Sequence, residues 1–163
     1  MEECKVSLSR IMVALDLSAY SESAFLHALT LAQSLGTELI LLNIINSRGL
    51  EYMDSLEAQG YGIGRDKYIQ ELTANRKEEL EKEYLSRVGQ VSARLVFRVG
   101  LPYEQILKAV DKEQVDLLVM GTKGRTNIAG ALFGTTAEKV FRRANCTVVS
   151  VRGPEHCRLP EAT

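Results

Sequence analysis

Cysteine is scarce in this chain, and what there is does not pair. The three cysteines, Cys4, Cys146 and Cys157, are odd in number and far apart, so they offer neither a CxxC metal site nor a disulfide framework. That usage reads as a reducing, cytoplasmic setting. Charge of one sign is also missing. Twenty Lys and Arg against 21 Asp and Glu leave a net charge of −1, which supplies no long-range field for nucleic acid or an anionic membrane. No apolar run approaches the roughly 18 residues of a membrane span, and no charged-then-apolar leader opens the sequence. Two histidines, His27 and His156, do not sit at metal-ligand spacing. The phosphate-cradling GxxxxGK[ST] is absent, which excludes a P-loop nucleoside triphosphatase.

What remains is ordinary globular composition, 45% hydrophobic and 25% charged over 163 residues. A chain of this length reads as one domain, since typical domains hold roughly 100–200 residues, and it can bury about 68–70% of its unfolded surface, enough for a core without staples. The expected core spans about 10–152, followed by a tail over 153–163.

Five short apolar runs recur: Ile11–Leu15, Leu39–Ile45, Val91–Val99, Val115–Met120 and Thr147–Val151. Segments with helical spacing separate them. The first is bounded by Ser18 as N-cap and Gly36 beyond its end, with Ala24, Ala28, Leu31 and Leu35 as its apolar stripe. The second runs from about Asp66 to Val88 and is closed by Gly89; the third opens with Pro102; the fourth ends before Asn145. Alternation of this kind predicts βαβ units, a mostly parallel sheet and an α/β fold. Leu39–Ile45 and Val115–Met120 are nearly continuous in apolar residues, as strands covered on both faces are. "SARLVFRV" instead alternates, with Arg94 and Arg98 opposite Ala93, Leu95, Phe97 and Val99, the pattern of a half-solvated edge strand. "TVVSV" reads as the opposite edge. Residues 46–65, with "GYGIG", lack clear periodicity and read as a flexible loop, or as a lid over a ligand. Their glycine spacing does not fit a dinucleotide fingerprint. The run "NRKEELEKEY" reads as a solvated helix face with i,i+4 pairing. Ser18, Ser21 and Ser23 read as capping and surface residues.

Four of the 12 glycines (Gly121, Gly124, Gly130 and Gly134) crowd into "MGTKGRTNIAGALFGTT". Ligands of open parallel sheets bind at the carboxyl ends of the strands, where strand order reverses. Asp16, Ile44 and this stretch all fall at such ends. If the first and fourth strands are neighbours, Asp16 faces Gly121 across the crevice. Two readings of the stretch stand. In one, Gly121, Gly124 and Gly134 bring backbone N–H groups to a phosphate chain, Thr135 opens an anion-binding helix, and Lys123 or Arg125 adds charge. In the other, Thr135 and Glu138 form a plain T-x-x-E capping box.

The stretch "VALDLSAYSESA", with "LILLNII", "VGLPYEQI" and above all Gly121-x2-Gly124-x9-Gly134-Thr135, resembles the universal stress protein family over Arg10 to Arg152. G-x2-G-x9-G-(S/T) marks the ATP-binding branch of that family. The resemblance implies a Rossmann-like, flavodoxin-like layered domain. Its five-stranded parallel sheet would run in the order 3-2-1-4-5, with helices on both faces and a homodimer formed through the last strand, Thr147 to Val151. It implies that Asp16 meets the ribose or adenine end of an ATP molecule and that Ile44 offers backbone hydrogen bonds to adenine. Gly121, Gly124, Gly134 and Thr135 would hold the phosphates, with Lys123, Arg125 and Thr136 as neighbours. Mg²⁺ or Mn²⁺ would be held mainly by the phosphates. Asn43 and Asn46 stand where relatives often have His and Asp, which puts a polar role for those side chains in question. The SGGxDS and HIGH loops of enzymes on related folds are missing, and no group is placed to orient water on a γ-phosphate. The functional expectation is therefore a dimeric ATP-binding stress-response module that hydrolyses little and acts through a protein partner. A slow ATPase or phosphotransferase is the second reading, and a nucleotide-free interaction domain is the third.

Overall fold

A computed structural model of the chain describes residues 6–60, 64–124 and 133–154. Five strands, β1 (Arg10–Ala14), β2 (Glu38–Asn46), β3 (Ala93–Gly100), β4 (Leu117–Gly121) and β5 (Thr147–Val151), alternate with helices. The helices are α1 (Ala19–Leu35), α2 (Glu51–Ala58), α3 (Arg65–Glu83), α4 (Pro102–Lys112) and α5 (Thr135–Arg143). All four strand pairings are parallel, in the order β3-β2-β1-β4-β5. This is the expected flavodoxin-like arrangement.

The two-residue period of the strands divides the core into two layers. Ile11, Val13, Leu39, Leu41, Leu117 and Val119 face α1 and α3, meeting Ala24, Phe25, Ala28, Leu80 and Tyr84. Met12, Ile40, Leu42, Leu118 and Met120 face α4 and α5, meeting Ile106, Ala109, Val110, Ala137 and Val140. β1 and the apolar part of β2 are therefore buried on both sides, which explains their unbroken apolar sequence.

α1 begins at Ser18, whose side chain accepts from the Tyr20 N–H, and ends at Gly36 in the left-handed conformation at φ 65°. Its buried stripe differs from the expected one. Phe25, Leu29 and Ala32 join Ala24 and Ala28, while Leu35 is 48% exposed. The inward face is centred one residue later, and Leu35 falls on the last, outward turn. α3 stops at Glu83 rather than Val88, and a 3₁₀ turn over Leu85–Arg87 follows. Arg87 holds that turn on α1 through two bonds to Glu22 (2.7 and 2.9 Å), with its guanidinium over the Phe25 ring.

The described part of 46–65 does not form the expected loop, and 61–63, within "GYGIG", lie outside the described residues. A 3₁₀ turn at Ser47–Gly49 leads into α2, and α3 starts at Arg65. The Asn46 side chain accepts from the Arg48 N–H (3.1 Å) to cap the turn. Leu50 is buried, and Arg65 pairs with Asp54 at 2.7 Å. The helix is short and rich in acids, so its periodicity is faint in the sequence. On β3, an edge strand as expected, Arg94 stays partly solvated and pairs with Glu38 at 2.6 Å and Glu113 at 2.9 Å. Val99, expected on the packed face, is 37% exposed. Among the described residues no helix is long and apolar enough to cross a membrane.

Candidate functional site

From β1 the sheet grows in two directions, to β2 and β3 on one side and to β4 and β5 on the other. The crossover connections diverge there, leaving a crevice above the carboxyl ends of β1 and β4. A cleft of about 230 Å³ occupies it. Asp16, Ile44, Gly121 and Lys123 line this cleft, as do Gly124, Gly134, Thr135 and Thr136. These are the residues expected from the sequence, except Arg125, which lies outside the described residues. Gly130, Cys4, His156, Cys157 and the tail beyond Pro154 lie outside them too.

Asp16 is fixed by a tight turn between β1 and α1. Its Oδ1 accepts from the Ser18 N–H (3.0 Å) and the Ser21 hydroxyl (2.9 Å), and its own N–H donates to Ser21 Oγ (2.9 Å). Leu17 between them sits at φ 63°, a left-handed conformation that leucine rarely adopts and that strains the backbone by about 1–3 kcal/mol. Ser21, expected at the surface, is 2% exposed and serves this turn.

The glycines divide into two kinds. A Cβ at Gly121 would lie 2.9 Å from both Tyr20 Cβ and the Lys123 carbonyl oxygen, and one at Gly124 would collide with the Asp16 carboxylate. At these two positions the protein's own turn already requires glycine. Gly134 is different. A Cβ there would meet nothing closer than 3.6 Å, and its backbone (φ −74°, ψ 158°) suits any residue. Its N–H donates to the Thr122 carbonyl (2.7 Å), so it is not available to a phosphate.

Gly134 is also the N-cap of α5, and no side chain caps the helix. Thr135 occupies the first helical position, and the Glu138 N–H bonds the Gly134 carbonyl. The expected capping box is therefore not formed; the Glu138 carboxylate pairs with Arg142 instead (3.0 Å). The N–H groups of Thr135, Thr136 and Ala137 are the orphan donors of the first turn, and all three residues line the cleft. The positive end of the α5 dipole faces the same space. Lys123 adds a charge there, with no carboxylate among the described residues within ion-pair reach. This end fits a phosphate. Asp16 is the one acid among the described lining residues, and no group of three potential metal ligands occurs among the described residues. A divalent ion here would draw its other ligands from the anion it accompanies.

The opposite end is built by β2. The β1 ladder stops at Ala14 opposite Leu42, where the Leu15 N–H reaches the Leu42 carbonyl (2.9 Å). Alternate residues of a parallel strand turn their peptide groups to the same side, so those of Ile44 point past the end of β1. Arg76 of α3 donates from one terminal nitrogen to the Ile44 carbonyl and to Asn43 Oδ1, both at 3.1 Å. Asn43 is fully buried and donates from Nδ2 to the Leu15 carbonyl (2.8 Å). Both asparagines thus have polar work, Asn43 here and Asn46 in its cap. Arg76 lines the cleft and was not singled out in the sequence. Its signal was the i,i+4 line Arg76, Leu80, Tyr84, which continues the buried stripe of α3 into the charged run. His27, by contrast, is an ordinary helix histidine with Nδ1 at 2.7 Å from the Ser23 carbonyl oxygen.

The model of the universal stress protein family matches residues 8–152. Universal stress protein MJ0577 of Methanocaldococcus jannaschii is 27% identical over 156 residues, spanning 90% of this chain and 96% of the relative. A universal stress protein of Methanothermobacter thermautotrophicus is 27% identical over 151 residues, spanning 90% and 98%. The solved structure of MJ0577 superposes with a TM-score of 0.71 at 29% identity over 88% of this chain and 95% of that one. Universal stress protein UspA from Lactobacillus plantarum shares the fold, with a TM-score of 0.72 at 21% identity over 91% and 100%. A match that runs from just before β1 to just past β5 takes in the whole sheet and both ends of the cleft: the chain belongs to the universal stress protein family.

Proposed function

We propose that this protein binds an adenine nucleotide, ATP, in the cleft between β1 and β4, and acts as a nucleotide-dependent module rather than as a rapid enzyme. The observation that carries the reading is the uncapped start of α5. Its donors, the dipole and Lys123 converge beside Gly134, the one cleft glycine among the described residues whose missing side chain is not accounted for by the protein's own packing. The phosphates sit there, on the N–H groups of Thr135 and Thr136. Arg125, a neighbour of the phosphates by the family pattern, lies outside the described residues. The base sits against the Ile44 peptide, with Asp16 near the sugar, and Mg²⁺ or Mn²⁺ rides on the phosphates. Two universal stress proteins of this fold, at 24% and 16% identity, are solved in complex with cAMP and with dAMP, which makes adenine nucleotides the first ligands to try.

Hydrolysis is slow in this reading. The lining acid, Asp16, is committed to its turn through Ser18 and Ser21, and among the described residues Lys123 is the one positive group at the phosphate end of the cleft. The chain forms a homodimer through β5, whose outer edge is unpaired in the sheet, and a protein partner reads the occupied state.

Calorimetric titration of the nucleotide-stripped protein with ATP, with and without Mg²⁺, tests the site. One ATP per chain is expected, and Gly134→Val, which fills the open space over α5, abolishes it. If Gly134→Val binds Mg-ATP as tightly as the parent, the phosphate assignment is wrong.

A further inference from the structure

Asn46 lines the cleft at the end where a base meets β2, and half of its side chain is already committed. Its Oδ1 accepts from the Arg48 N–H at 3.1 Å, capping the turn over Ser47–Gly49. That bond decides which way the amide faces, because an N–H donor needs the oxygen and not the nitrogen. The two hydrogens of Nδ2 are left over, and among the described residues they make no hydrogen bond. We propose that Asn46 donates from Nδ2 to N7 of the bound purine and so reads the imidazole edge of the base. This rests on the nucleotide site proposed above.

The direction of β2 sets the order of the contacts. Leu42, Ile44 and Asn46 are alternate residues of the strand, and all three line the cleft. Leu42 still serves the end of β1, its carbonyl accepting from the Leu15 N–H. Ile44 and Asn46 lie beyond that end and are open to a ligand. Along the strand come first the Ile44 N–H, then the Ile44 carbonyl, then Asn46. Adenine presents matching groups in the same order around its rim: N1 accepts, the 6-amino group donates, and N7 accepts. With N1 and the 6-amino group on the Ile44 peptide, N7 is the next acceptor and Asn46 the next residue on that side. Arg76 does not block the arrangement. It uses one lone pair of the Ile44 carbonyl oxygen, and the other remains for the amino group.

The two halves of the amide can be separated by substitution. Aspartate at this position keeps an oxygen for the Arg48 N–H, and therefore the cap, yet has no donor to offer N7. Serine also caps, and it is too short to reach the base.

Calorimetry on the full chain compares ATP with 7-deaza-ATP, in which a C–H replaces N7. The parent is expected to bind ATP about fivefold more tightly, the worth of one solvent-accessible hydrogen bond. Asn46→Asp and Asn46→Ser are expected to bring the two nucleotides within about twofold of each other, Asn46→Ser doing so without an added charge. Circular dichroism melts establish that each variant is folded, and the parent ratio needs no variant at all. A parent that binds both nucleotides alike overturns the inference. So does a preference that persists in folded Asn46→Asp and Asn46→Ser, the result expected if the Ile44 N–H takes N7 instead. Either outcome leaves the nucleotide site standing. Binding of neither nucleotide by any of the three proteins overturns the inference together with the site.

Discussion

Gly124→Ala isolates the claim that this glycine serves Asp16. The added Cβ lands on the Asp16 carboxylate. That carboxylate is not idle: Oδ1 holds the Ser18 N–H at 3.0 Å and the Ser21 hydroxyl at 2.9 Å. Hydrogen bonds to a charged acceptor contribute about 1.5–3 kcal/mol each, and moving the carboxylate aside weakens both without abolishing them. Alanine returns about 0.4–1 kcal/mol by restricting the unfolded chain. The net expectation is a loss of about 1–3 kcal/mol. In a chain of this size that lowers the melting temperature by about 3–9 °C. Thermal and urea unfolding of nucleotide-free protein reads it directly. The decisive comparison is the same substitution in an Asp16→Ala background, where no carboxylate remains to be struck. Gly124→Ala should then change stability by less than about 0.5 kcal/mol, the two sites being strongly coupled. An equal penalty in both backgrounds would refute the reasoning and move the cause to the loop's own backbone.

Two further outcomes follow from the core around the cleft. Asn43→Ala removes the donor to the Leu15 carbonyl and one acceptor of Arg76; it should cost about 2–3 kcal/mol, seen as a lower urea midpoint with an unchanged slope. A shift under about 0.5 kcal/mol would mean that water replaces the amide. Tyr84 holds its phenolic proton above the ordinary value of 10.0, first because burial disfavours the phenolate and then because Glu22 and Glu83 are near, with Arg87 opposing. A folded-state value above the unfolded one gives stability that is complete below pH 10 and is lost as pH rises through the folded value. Relative to Tyr84→Phe, the parent should therefore lose stability as pH rises above about 10, and parallel curves there would remove the claim.

The sheet was readable because its central strands are apolar on both faces, and Thr147–Val151 coincides with β5 residue for residue. α2 was not, because Glu51, Asp54 and Glu57 leave a short helix with little apolar pattern. The glycine spacing located the cleft but not its physics. A glycine in a sequence says that a Cβ is unwelcome without saying what it would strike, and for Gly124 the obstacle is Asp16, at the far end of another strand. Likewise a Thr followed three residues later by Glu looks like a cap until the N-cap is seen to be Gly134, one residue earlier. Arg76 was hidden for a different reason: in a charged run the one inward-facing cation has no local mark, and only Leu80 and Tyr84 on its line betray the direction.

Thr122 joins two elements through its two flanking peptide groups. The Thr122 N–H bonds the Val151 carbonyl at 2.9 Å, and the Thr122 carbonyl takes the Gly134 N–H at 2.7 Å. A single buried residue thus rivets the last residue of the outermost strand to the cap of α5. The first turn of that helix cannot tilt, and the strand's end cannot slide, unless one rivet shears. Any load placed on the mouth of α5 is therefore delivered to the rim of the sheet across one residue, with no flexible segment between them to absorb it.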